Sequence, residues 1–166
     1  FEIDDNWDGK DIFLHIGSAT SNVRVWVNGK EVGYSEDSKL EARFNITKFV
    51  KTGENLIALE IFRWCDGSYL EDQDFWRLTG IARDVYVYSR EKKRLEDIRV
   101  VASASGEAKL RADVSKGVTK VSFEIVDPYG NVAAETEIAP KKNVAETVLN
   151  VADVKQWSAE TPWLYT

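Results

Sequence analysis

One cysteine, three prolines and no methionine occur among 166 residues. A lone thiol, Cys65, excludes an internal disulfide framework, and no Cys/His spacing suits a structural zinc. No apolar run approaches the roughly 20 residues a membrane-spanning helix needs. No basic stretch offers a track for phosphates, and 28 acidic against 22 basic side chains leave a formal net charge of −6. Nucleic acid is therefore not an expected partner. Sustained helical periodicity is also missing, which points to an all-β chain. With no methionine, and with Phe1-Glu2-Ile3-Asp4 opening in mid-pattern, the sequence reads as an internal piece of something longer.

What is present is strand alternation. Ile12, Leu14 and Ile16 alternate with Phe13 and His15, and Val23, Val25 and Val27 alternate with Arg24 and Trp26. Such period-two runs predict half-buried strands. Asn28-Gly29 supplies the positive φ angles of a type I′ turn, so 23–34 is predicted to be a hairpin. Further strands are expected at 42–46, 55–62 and 84–89, with one helical turn at Thr47-Lys48-Phe49-Val50. Around residue 90 the texture changes. Most of the acidic excess and four of the six tryptophans (Trp7, Trp26, Trp64, Trp76) precede the charged run Arg90-Glu91-Lys92-Lys93-Arg94. Beyond it, short strands are predicted at 95–103, 107–115, 118–126, 131–138 and 143–151, with a turn at Asp127-Pro128-Tyr129-Gly130-Asn131. That spacing suggests a small immunoglobulin-like sandwich without the disulfide.

The stretch Arg63–Arg77 carries the chemistry. Asp66, Glu71, Asp72 and Asp74 are interleaved with Trp64, Tyr69, Phe75 and Trp76. Aromatic faces stack on the C–H face of a sugar, and carboxylates accept bonds from its hydroxyls or ligate hard cations. Composition alone favours a solvated acidic loop with its aromatics turned into the core. His15 is a candidate acid/base group with no neighbouring nucleophile pattern, and reads as an ordinary strand histidine. Cys65 lacks a histidine partner that would make it a nucleophile. Asn45-Ile46-Thr47 matches a glycosylation sequon by spacing only.

The residues carry a resemblance as well. Val27-Asn28-Gly29, Val32-Gly33-Tyr34-Ser35-Glu36-Asp37-Ser38 and Gly53-Glu54-Asn55-Leu56-Ile57-Ala58 resemble glycoside hydrolase family 2. Arg63-Trp64 through Asp74, Trp76-Arg77-Leu78-Thr79-Gly80-Ile81 and Arg83-Asp84-Val85 are similar to the large bacterial β-galactosidases within it. Trp157-Ser158-Ala159-Glu160-Thr161-Pro162-Trp163-Leu164-Tyr165 is similar to a segment near the end of the family's second domain.

The resemblance implies an all-β architecture of two β-sandwiches. Residues 1–90 would be the later part of a jelly-roll, galactose-binding-like domain, and 91–166 most of an immunoglobulin-like sandwich. It further implies a (β/α)8 barrel in the same polypeptide that holds both catalytic glutamates and the Mg2+ ligands, leaving no catalytic residue here. The activity implied is retaining hydrolysis of terminal β-D-galactosyl residues, by a full-length homo-oligomer. Asp74 matches the aspartate that binds the galactosyl C6 hydroxyl and Na+, with Phe75 where the best-known relatives have methionine. No ligand role transfers to Glu71 or Asp72. The alternatives are another family 2 glycosidase (β-glucuronidase or β-mannosidase), a stand-alone carbohydrate-binding module or a structural spacer.

Overall fold

Alternating apolar residues become antiparallel strands almost throughout the computed structural model, which describes residues 1–71, 74, 76 and 78–166. The chain divides into two units, Phe1–Glu91 and Lys92–Thr166. The first contains β1 (Glu2–Ile3), β2 (Asp11–Ile16), β3 (Ala19–Thr20), β4 (Asn22–Val27), β5 (Lys30–Glu36), β6 (Ala42–Asn45), β7 (Gly53–Glu54), β8 (Ile57–Glu60), β9 (Gly80–Ile81) and β10 (Val85–Arg90). Its two main sheets run β10-β2-β6 and β5-β4-β8, and the two-residue strands pair as β1-β7 and β3-β9.

The inward residues Ile12, Leu14 and Ile16 of β2 share one buried cluster with Val23, Val25 and Val27 of β4. A single core between the sheets makes this unit a sandwich, and each fully buried aliphatic side chain contributes about 1.5–3 kcal/mol. The β4–β5 hairpin turns where the sequence requires it, with φ of 50° at Asn28 and 77° at Gly29. Asn28 also ties that turn to the next loop, donating from Nδ2 to Asn55 Oδ1 at 2.8 Å and accepting from Leu56 N at 3.0 Å. Asn55 is thereby taken up in side-chain bonds, so the strand expected at 55–62 shortens to β8. The expected helical turn after β6 is a hydrogen-bonded turn in which Phe49 N donates to Ile46 O at 2.8 Å.

The second unit holds β11 (Leu95–Ala102), β12 (Glu107–Val114), β13 (Val121–Val126), β14 (Val132–Ile138) and β15 (Val144–Asn150). Its sheets are β11-β12-β15 and β13-β14. Ala108, Leu110, Ala112 and Val114 on the inward face of β12 meet Phe123 and Ala145 in a second core. The Asp127–Asn131 turn joins β13 to β14: Asp127 Oδ1 accepts from Tyr129 N at 2.8 Å and from Asn131 N at 2.9 Å. Its carboxyl lies below the usual range, chiefly because of the side-chain and backbone hydrogen bonds from Asn131. Thr166 exchanges two backbone hydrogen bonds with Val126, at 2.7 and 3.0 Å, so the tryptophan-rich end segment folds back beside β13. Both units are sandwich-like and all-β, as the sequence predicts.

Candidate functional site

The acid-rich stretch leaves the sandwich after β8 and returns at β9. It begins with a 3-10 turn over Asp66–Tyr69, in which Cys65 N donates to Ser68 Oγ at 3.0 Å and Ser68 N donates to Cys65 O at 3.1 Å. The Cys65 thiol faces Ser21 O at 3.7 Å. A half-buried cysteine in that position packs the start of the loop against the link between β3 and β4.

Among the described residues, two anchors hold the loop to the sandwich. At the first, Glu71 reaches Ser38, which has 0% of its surface exposed. One carboxylate oxygen accepts a short hydrogen bond from Ser38 Oγ, and the other lies 3.4 Å from Ser38 N. Ser38 is in turn fixed through its carbonyl, which accepts from Ser18 Oγ at 2.7 Å and Thr20 Oγ1 at 3.4 Å. The preceding residue, Asp37, turns the chain inward with φ at 120°, a conformation an L-residue holds only when its neighbours fix it. At the second anchor, Thr79 Oγ1 donates to Thr20 O at 2.8 Å, and Gly80 pairs with Thr20 in the β3–β9 ladder. Thr20 thus takes part in both anchors.

Asp74 lies between the anchors, exposed, in a turn. Asp72, Gln73, Phe75 and Arg77 lie outside the described residues, so the sequence readings of Asp72 and Phe75 have no structural counterpart. The expectation that the aromatics turn into the core fails among the described residues. Tyr69 is 90% exposed, Trp76 83% and Trp64 52%. The buried members of the first core are all aliphatic, and Trp64, Tyr69 and Trp76 lie outside it. The result is an acidic segment studded with solvent-facing aromatic rings.

A second polar group flanks the loop's start. Asn22 Nδ2 lies 3.3 Å from Tyr34 Oη, and Tyr34 donates a short hydrogen bond to Glu36. Desolvation and that bond push the Tyr34 hydroxyl up to about 12. Glu36, Cys65 and Asp66 bring one potential ligand atom each within 4.8 Å of one another. This set includes a thiol and excludes Asp74, so it is not the all-oxygen environment that sodium prefers. Periodicity gives no signal for Ser38, Thr79 or this group, because their partners lie far away in sequence.

The remaining candidates are structural. His15 stacks on Tyr86 with ring centroids 4.4 Å apart, and its Nδ1 lies 3.0 Å from Glu41 Oε2. Asn45 Oδ1 accepts from Thr47 N at 3.0 Å and Thr47 Oγ1 at 2.6 Å, so the sequon residues cap the turn after β6.

Comparison with known proteins shows the same two-part organisation. Residues 1–91 match the sugar binding domain of the glycosyl hydrolases family 2, and residues 93–166 match a second model described as glycosyl hydrolases family 2. A β-galactosidase of Priestia megaterium is 38% identical over 96% of the chain, and one of Clostridium acetobutylicum 36% identical over 100%. The chain spans 17% and 19% of the lengths of those two enzymes. Among solved structures, an FMN-binding β-glucuronidase from Facaelibacterium prausnitzii L2-6 superposes with a TM-score of 0.80 at 24% identity, covering 99% of this chain and 28% of that one. A Ruminococcus gnavus β-glucuronidase gives 0.77 at 24% identity, covering 99% and 30%. At that identity the structural likeness speaks for the fold alone.

Proposed function

The chain belongs to glycosyl hydrolase family 2, and from that premise we propose that it is the non-catalytic, substrate-contacting part of a retaining β-galactosidase. Support for the galactoside preference comes from sequence, since relatives at 36–38% identity across this whole region bear the β-galactosidase name. The observation that carries the site is the exposure of Asp74 on a loop tethered on both sides. An exposed carboxylate held at a fixed place can accept a hydrogen bond from a sugar hydroxyl without reorganising first.

In this reading Asp74 binds the galactosyl C6 hydroxyl and contributes one ligand to Na+. Its carboxylate suits a hard cation, and one such group is an incomplete shell, so further oxygens come from outside these residues. Sodium there would supply an electrostatic hold on the hydroxyl oxygen. The exposed ring of Trp76, two residues on, offers an apolar face for the sugar. Retaining hydrolysis also needs two positioned carboxyl groups, a nucleophile and an acid/base. We assign both, with the Mg2+ ligands, to a barrel domain outside residues 1–166.

The test is a substrate panel. The full-length protein is expected to cleave a chromogenic β-galactoside in preference to the matching β-glucuronide, whereas residues 1–166 alone are expected to turn over neither. Preference for the glucuronide would overturn the substrate assignment. Turnover by residues 1–166, abolished by substituting one of their own acids, would overturn the division of labour.

A further inference from the structure

Both oxygens of Glu71 are directed at Ser38, one at its hydroxyl and one at its backbone N–H. That engagement turns both Glu71 oxygens toward the scaffold and gives the residue a task there. We propose that Glu71 is a positioning residue for Asp74, holding the substrate loop in register by clamping it to a buried serine. The inference rests on the reading of Asp74 given above and concerns what keeps that carboxylate in place.

A surface carboxylate in an acid-rich loop has no electrostatic reason to settle in one position. Glu71 instead grips a residue that is itself immobilised, with the Ser38 carbonyl bonded by Ser18 and Thr20 and the Ser38 hydroxyl also within 3.5 Å of Ser21 O. Ser18, Thr20 and Ser21 are all buried. Asp74 follows Glu71 by three residues and precedes Thr79, whose hydroxyl bonds to Thr20, by five. Among the described residues, releasing Glu71 would leave Thr79 as the anchor nearest Asp74. Small displacements matter here, because a misplacement of ~1 Å in a reacting site can cost on the order of a hundredfold.

The experiment uses the full-length protein with Glu71→Ala, Glu71→Gln and Ser38→Ala, each made alone and together with Asp74→Ala. Glu71→Ala and Ser38→Ala are expected to lower kcat/KM for a β-galactoside by about tenfold or more. Both should raise the sodium concentration needed for half-maximal activity, a change that general loosening of a remote sandwich would not produce. Glu71→Gln keeps one carbonyl oxygen for a Ser38 donor and should fall between wild type and Glu71→Ala. In the Asp74→Ala background none of the three should cause further loss. Wild-type kinetics in Glu71→Ala, with Asp74→Ala impaired, would overturn the positioning role alone. Equal losses with and without Asp74 would overturn it too, because Glu71 would then act elsewhere. A silent Asp74→Ala would instead overturn the underlying site. Should Glu71→Ala fail to fold, Glu71→Gln carries the same comparison.

Discussion

Replacing Asp74 by alanine in the full-length protein isolates one proposed contact. Asp74 is exposed, and neither anchor of its loop uses its side chain. Truncation therefore leaves Glu71–Ser38, Thr79–Thr20 and the core intact, and the stability change should stay within about 0.5 kcal/mol. Its cost should appear in catalysis. A hydrogen bond between a sugar hydroxyl and a charged carboxylate is worth roughly 1.5–3 kcal/mol. At about 1.4 kcal/mol per factor of ten, that corresponds to a loss of roughly 10- to 150-fold in kcat/KM. Initial rates on a chromogenic β-galactoside, measured across a sodium titration at constant ionic strength, would read both roles. Asp74→Ala should lower kcat/KM and flatten the sodium response. Asp66→Ala, which removes a negative charge from the same loop, should change neither. A substrate lacking the C6 hydroxyl should lose discrimination between wild type and Asp74→Ala. Wild-type kinetics with an unchanged sodium curve in Asp74→Ala would refute the assignment.

Two further outcomes concern the scaffold. Asn55 donates from Nδ2 to Lys51 O at 2.7 Å and Gly53 O at 2.8 Å and accepts from Lys51 N at 2.9 Å, so Asn55→Ala should cost about 1–3 kcal/mol. Chemical denaturation would check that figure, and an unchanged midpoint would contradict the network. Asp127 has a lowered carboxyl pKa in the folded chain, so its contribution is present above the ordinary carboxylate range and disappears as pH falls through the lowered value. The gap in denaturation midpoint between wild type and Asp127→Ala should accordingly narrow in acid, and a gap independent of pH would contradict the charge-assisted turn.

The legible parts of the fold were those whose determinants are local. Asn28-Gly29 specifies its turn within two residues, and Ile12, Leu14 and Ile16 declare an inward face through spacing alone. The two-residue strands β1, β3, β7 and β9 carry no period and could not be read. Neither could the start of β8, because the Asn55 side chain is taken up in loop bonds just before it. At the site, Asp74 is singled out only by resemblance, since nothing local separates one exposed acid from its neighbours. Ser38 lies within a family-like run, but its burial and its grip on Glu71 depend on residues 17 to 33 positions away. Tyr69 and Trp76 misled because aromatic composition does not say which way a loop faces.

The shared footing of the two anchors has an evolutionary consequence. Because Glu71 and Thr79 are tied to neighbouring parts of one sandwich, the seven positions between them are a cassette bracketed by two anchored ends. Altering the length of such a closed segment is cheap, with each doubling costing only about 0.6 kcal/mol in closure entropy. Substrate preference can then diverge by rewriting the cassette while selection holds Ser38, Thr20 and the strands beneath them. Exchanging residues 72–78 between family 2 enzymes of different preference, with both anchors retained, is the transplant this scaffold is built to tolerate.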